Sequence, residues 1–289
     1  MTKVLITGAT GNVGMELIKA LLQMDQQLEL YAGVRDVEHD KVTLPANGIQ
    51  CVRFDFTDMD TVNGALEDCT ILFLLRPPQI SDVDKYFRPI IDACIAKAVQ
   101  HIVFLSVQGV EHSSIIPHHK IEKLIVNSGI PYTFLRPAYF MQNFTTTLHH
   151  ELVSKKRIYL PAGKAKFTLV DVRDIGAVAA QVLINISQHV NKSYALTSNK
   201  KMTFKEMAIS LSSRLGVDIQ FISPNLLSFF LAKKRENTPT MLILVLIMLH
   251  YFPRFQQEPA LTKCVEEIIH RPPFSFEQFI NDNKKKLVS

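Results

Sequence analysis

Residues 4–22, VLITGATGNVGMELIKALL, constrain this chain more than any other stretch. An apolar run that reads as a strand passes through a GxxGxxG turn straight into an amphipathic helix. Gly8 permits the sharp turn, Gly11 lets the backbone approach a pyrophosphate with no Cβ in the way, and Gly14 lets helix pack closely on strand. A helix beginning there presents unpaired N–H groups and the positive end of its dipole. The backbone of Thr10, Gly11, Asn12, Val13 and Gly14 is therefore the expected seat of a nucleotide pyrophosphate. The turn predicts a dinucleotide-binding domain at the N-terminus.

Beyond it, short apolar runs alternate with longer segments of helical period: LELYAGV, QCVRFDF, TILFLL, HIVFLS and PYTFLRP, the last followed by an expected helix from Tyr139 to Leu152. Strands apolar on both faces and separated by helices mark a parallel sheet covered on both sides. The predicted class is α/β, a doubly wound parallel sheet of Rossmann type with a smaller, mostly helical C-terminal lobe. The expected division is an NAD(P)-binding domain over 1–155 and a smaller substrate or partner lobe over 156–289. Residues 174–196 are expected to pack back on the first domain. The unbroken apolar run 241–249 is too short for a bilayer crossing, and the segment 241–252 is predicted to be a helix inside the C-terminal lobe or at a subunit interface.

A net charge of +5 over 289 residues, with its one dense basic run in a polar tail, points away from nucleic acid. The four cysteines fall singly in apolar segments without CxxC spacing, and no histidine–carboxylate spacing resembles a metal site. The N-terminus enters a strand pattern at once, with none of the marks of an export signal. A cytoplasmic protein without membrane span or metal is expected.

The second strand ends in AGVRD, where NAD-specific folds usually carry an acid. Arg35 arrives first, and its guanidinium can pair with a 2′-phosphate, which favours NADP; Asp36 follows and keeps NAD open. After the third strand, Asp55 is a candidate for the adenine amino group and Phe56 for the flank of the ring, with a turn or cap role as the alternative for Asp55. Leu74, Leu75 and Arg76 end the fourth strand at the carboxyl edge of the sheet, where ligands of such folds sit, and Arg76 is a candidate for phosphate or an anionic substrate.

TGATGNVG, Arg35, FDFTD, HIVFLSV, KIEKLIVNSGIPYTFLRPAYFMQNF, LVDVRDIGAVAAQVL and HRPPFSFEQFI together resemble the NmrA-like branch of the atypical short-chain dehydrogenases/reductases. That branch holds NADPH-dependent quinone oxidoreductases, dye reductases and non-catalytic NADP-sensing regulators. The resemblance spans nearly the whole chain. It places the superfamily's usual Tyr-x-x-x-Lys pair at Ser114 and His118, so the pair is missing. Ser106 matches the usual strand-end serine. His118 matches a histidine of the quinone reductases, with proton donation, cofactor binding and a structural role all open. The resemblance also puts Pro137, Ala138, Tyr139 and Phe140, with Asn143 beside them, in the loop that contacts the nicotinamide end and walls a flat acceptor; a plain core role is the alternative for Tyr139 and Phe140.

These residues support an NAD(P)H-dependent reductase of quinones or similar conjugated acceptors, which take hydride without a strong protein acid. The alternatives are a non-catalytic NADP(H)-sensing regulator and a nucleotide-sugar epimerase-like enzyme. The implied partners are a small-molecule acceptor and either a protein partner or a second copy.

Overall fold

The computed structural model describes residues 2–24 and 27–288. In chain order the strands are β1 (Thr2–Thr7), β2 (Leu28–Val34), β3 (Gln50–Arg53), β4 (Ile71–Leu75), β5 (His101–Leu105), β6 (Tyr132–Pro137), β7 (Tyr139–Phe140), β8 (Arg157–Tyr159), β9 (Lys166–Val170), β10 (Lys192–Leu196), β11 (Lys201–Thr203) and β12 (Gln220–Ile222). The helices are α1 (Asn12–Leu22), α2 (Val37–Asp40), α3 (Met59–Ala65), α4 (Val83–Ala96), α5 (Pro117–Asn127), α6 (His149–Lys155), α7 (Val172–Ile184), α8 (Phe204–Leu215), α9 (Leu226–Arg235), α10 (Thr240–Tyr251), α11 (Cys264–Ile269), α12 (Phe276–Asp282) and α13 (Lys284–Val288).

The chain forms two units, neither continuous in sequence. The first takes 1–137, 172–196 and 263–272, and the second 138–171, 197–262 and 273–289. The single boundary expected near 155 is thus replaced by several crossings. Backbone pairing explains one return: Lys192 to Leu196 adds a parallel strand beside β6. Helix packing holds the same segment, 172–196, since Gly176 of α7 lies so close to α1 that an added Cβ would stand 2.6 Å from the carbonyl carbon of Glu16.

The first unit is a seven-stranded sheet in the order β10-β6-β5-β4-β1-β2-β3, parallel at every pairing. All five residues of β5 are buried, as a central strand with helices on both faces requires. The order reverses between β1 and β4, and in such sheets that crevice receives the ligand. An ion pair on a buried carboxylate also belongs to this unit: Arg271 Nη1 lies 2.8 Å from Asp174 Oδ1, which has no solvent exposure. It joins the HRPP and VRDIG segments, far apart in sequence.

The second unit has the sheet β11-β9-β7 and the pair β12-β8, with a core of Phe144, Phe204, Phe229 and Phe279 among aliphatic neighbours. The helix expected from Tyr139 to Leu152 is broken. The two residues of β7 pair with β9, a 3-10 turn covers Met141–Thr145, and α6 follows. Strand pairing of Tyr139 and Phe140 outweighs the helical period there. The 241–252 segment is helical, but only Ile243, Leu246 and His250 are buried. The expected enclosure in a core is therefore not what this unit shows.

Candidate functional site: a dinucleotide cradle in the first unit

β1 ends with a threonine that sequence inspection passed over. Thr7 Oγ1 donates to the Phe73 carbonyl at 3.1 Å and accepts from the Leu75 amide at 2.8 Å, locking the ends of β1 and β4 together. Gly8 then turns with φ +62°, and the Gly11 amide closes the turn on the Gly8 carbonyl at 3.0 Å. Gly11 caps α1 with no side-chain hydrogen bond, and no acid lies in the first turn. No capping side chain therefore takes up the amides at the start of α1, a geometry that suits an anion. Thr10, Gly11 and Asn12 are exposed around this ring of donors.

Arg35 and Asp36 separate clearly. The Asp36 carboxylate is the N-cap of α2, accepting from the His39 amide at 3.1 Å. Arg35 is exposed and forms no ion pair among the described residues. Asp55 Oδ1 accepts from both the amide (2.8 Å) and the hydroxyl (2.7 Å) of Thr57, and these bonds hold its carboxyl below the usual range. Asp55 is half-buried, with that oxygen committed to a local turn. Phe56 does not present a free face as expected. Its ring is buried against Phe54 at 5.1 Å and Phe87 at 5.5 Å, because the alternation after β3 turns it into the core.

At the sheet edge, Leu74 is fully buried while Leu75 lies against the Gly8 turn, 3.1 Å from where a Gly8 Cβ would stand. Arg76 folds back on its own loop. Nη1 donates to the carbonyls of Pro77, Pro78 and Ile80 at 3.1, 3.2 and 2.6 Å, and Nε donates to His118 Nε2 at 3.4 Å. Nη2 has no partner among the described residues. The free phosphate clamp expected at Arg76 is thus largely occupied by main-chain oxygens.

Burial and that contact together set the chemistry of His118. Burial first, and the Arg76 charge second, push its imidazole down to about 3. It is neutral at pH 7 and holds its Nε2 lone pair toward a cation, so it carries no imidazolium proton to donate. Proton donation with a titration near neutrality, one of the roles open from the sequence, does not fit these surroundings.

Ser106 follows β5, one residue beyond the Leu75–Leu105 pairing. Its amide donates to the Leu135 carbonyl at 2.7 Å, while its hydroxyl is buried and is the only such side-chain polar atom without a partner among the described residues. A buried hydroxyl left in that state costs about 1–3 kcal/mol unless a ligand meets it. Pro137 ends β6 with its carbonyl taking the Gln108 amide at 2.9 Å. An uncapped helix, a glycine cradle, a free Arg35 and an orphan Ser106 hydroxyl fit a dinucleotide.

The proposed acceptor wall belongs to the second unit and is tied into it. Tyr139 packs edge-on against Phe204 at 5.7 Å and Phe167 at 5.9 Å. His250 Nδ1 donates to the Leu246 carbonyl at 2.7 Å, leaving Nε2 to accept from the Tyr139 hydroxyl at 3.2 Å. Asn143 also hydrogen-bonds the phenol, whose pKa is raised by burial, and Phe140 is half-buried beside it. His250 was missed from sequence. Its signal was a single imidazole in an otherwise apolar helical run.

Among curated proteins, the chain is 29% identical over 284 residues to prestalk A differentiation protein A of Dictyostelium discoideum, covering 96% of this chain and 91% of that protein. It is 26% identical over 281 residues to the NAD(P)H azoreductase of Xenophilus azovorans, covering 96% of each. Among solved structures, the NADPH-dependent quinone oxidoreductase of Escherichia coli in complex with NADPH superposes with a TM-score of 0.86 at 24% identity, over 96% of this chain and 99% of that one. At that identity the likeness is one of fold. The NmrA-like family matches residues 1–242, most of the chain. With its parallel sheet and glycine turn, this chain belongs to the NmrA-like family.

Proposed function

We propose that the protein is an NADPH-dependent reductase of flat conjugated acceptors, quinones first among them. The observation that carries the reading is the uncapped N-terminus of α1 above the Gly8–Gly14 turn, with Arg35 free at the end of β2. The azoreductase and quinone oxidoreductase names of its relatives support the acceptor class. NADPH supplies a hydride when bound. The amides of Asn12, Val13 and Gly14 hold pyrophosphate charge, Arg35 holds the 2′-phosphate, and the Ser106 hydroxyl meets the polar head at the sheet edge. His118 positions Arg76 and its loop. Solvent supplies the proton to the reduced oxygen, which a quinone tolerates because its reduced oxyanion is stabilised by conjugation; a simple ketone needs a concerted acid.

NADPH consumption by the purified protein, followed across quinones, azo dyes, simple ketones and sugar nucleotides, tests this. Quinones should be reduced, ketones should not, and kcat should show no ionisation between about pH 6 and 8, where an unperturbed imidazole would titrate. Tight NADPH binding with no acceptor reduced would sink the enzyme reading in favour of a cofactor-sensing regulator.

Cofactor choice has its own test. Arg35→Ala should weaken NADPH binding roughly ten- to hundredfold, the worth of a charge-assisted hydrogen-bond pair, and leave NADH binding unchanged. Calorimetric titration of both cofactors reads it, and equal losses for the two would remove Arg35 from the 2′-phosphate.

A further inference from the structure

α10 has no polar side for water. At about 100° per residue, Ile243, Leu246 and His250 form the arc on the core, and the opposite arc of roughly 160° holds Met241, Leu242, Leu244, Val245, Met248 and Leu249. All six are exposed, Met241 at 69%. Phe252 and Phe255 extend this surface past the helix, and α9, packed beside α10, adds exposed Leu227 and Leu231. Single exposed leucines need no explanation, but a continuous apolar helix face marks an interaction site.

The rim is cationic. Lys234 and Arg235 close α9. Just past α10, the Arg254 guanidinium lies over the Tyr251 ring at 5.1 Å and the Phe255 ring at 5.9 Å. Lys164 and Arg254 share a cavity of about 660 Å³. These four cations form no ion pair among the described residues. The neighbouring acids are already taken, Glu236 by Lys155 and Lys233, and Glu258 by Lys166 and Lys201.

We propose that the α9–α10 face seats this protein on an anionic lipid bilayer, peripherally, with α10 lying in the plane of the interface. The helix has 12 residues, a length of about 18 Å that cannot cross a hydrocarbon core. Apolar side chains entering the acyl boundary, aromatic rings at head-group depth and unpaired cations against acidic lipids are the three attractions that hold such helices. A second copy fits less well. A two-fold interface sets a patch against itself, and here it would bring one rim of unpaired cations onto another. The proposal is independent of the reductase reading.

Flotation of the full chain with phosphatidylcholine vesicles, with and without phosphatidylserine, tests it. The protein should float with the serine-containing vesicles, less so at high salt, and much less with phosphatidylcholine alone. The double variant Leu244→Gln/Met248→Gln should lose roughly tenfold or more of its vesicle partition, with an unchanged melting temperature because both side chains face solvent. Arg235→Gln/Arg254→Gln should lose the preference for phosphatidylserine. Failure of the wild type to float with either vesicle, or full flotation of the Leu244/Met248 variant, overturns the proposal. A wild-type dimer by light scattering that becomes monomeric in that variant, without vesicle binding, assigns the face to a second copy and overturns it as well.

Discussion

Gly14→Ala should weaken NADPH binding roughly a hundredfold or more and unfold the first unit more easily, by about 3 kcal/mol, the upper range for overpacking. An added Cβ would stand 2.2 Å from the Gly8 carbonyl oxygen, 2.8 Å from Ala9 Cα and 2.9 Å from the Gly8 carbonyl carbon. All three are main-chain atoms of the turn, so no side chain can swing aside. α1 must move instead, and α7 resists it, since Gly176 is already pressed against the backbone of Glu16 and Leu17. A shift of the helix takes the amides of Asn12, Val13 and Gly14 off the pyrophosphate. Losing two such charge-assisted bonds weakens binding roughly a hundredfold or more. Gly64→Ala in α3 is the control: nothing lies within 4 Å of its Cβ, so helix propensity alone should stabilise by about 0.5–1 kcal/mol. Urea unfolding and NADPH titration of both variants check the pair. A Gly14→Ala protein that binds NADPH like wild type would show that the turn does not hold the cofactor.

Mild acid should destabilise the protein well before its carboxylates titrate. Burial pushes His101 and His250 down to about 4, and His118 to about 3. His101 is buried with Nε2 2.9 Å from Thr133 Oγ1, and His250 is 1% exposed. In the unfolded chain each regains its ordinary value near 6.5. Below that value the unfolded state binds protons that the folded state refuses, so stability is complete above about pH 6.5 and falls as the pH drops toward the folded values. Each histidine removes about 1.4 kcal/mol per pH unit, so at pH 5 the first unit, with two, should have lost about 4 kcal/mol. Glu151 acts later and in the same direction. Held at about 2 by Arg157 and Lys233 against the cost of burial, it withdraws support from the second unit only below its ordinary value of about 4.3. Urea midpoints at pH 7 and pH 5 measure the loss, and His101→Gln should flatten the slope by about one proton. Equal midpoints at the two pH values would contradict the neutral buried state of these imidazoles.

The cofactor cradle and sheet class were legible because their physics is local. A strand, a glycine turn and a helix start are consecutive in residues 4–22, and no distant partner is needed to leave the N-terminus of α1 without a capping side chain. The preference for Arg35 was partly legible. The structure adds only that Asp36 spends its carboxylate on the cap of α2, while Arg35 stays exposed. Other features depended on residues far away in sequence. His118 is held neutral first by burial and then by the charge of Arg76, 42 positions earlier, and the Phe56 ring is buried against Phe87. The return of 192–196 to the first sheet depends on pairing with β6. For α10, the sequence determined a helix too short to span a bilayer. It could not determine which arc meets the core, because a segment apolar at every angle has no periodicity to read; only packing on the second unit decided that Ile243, Leu246 and His250 go inside and the others remain in contact with solvent.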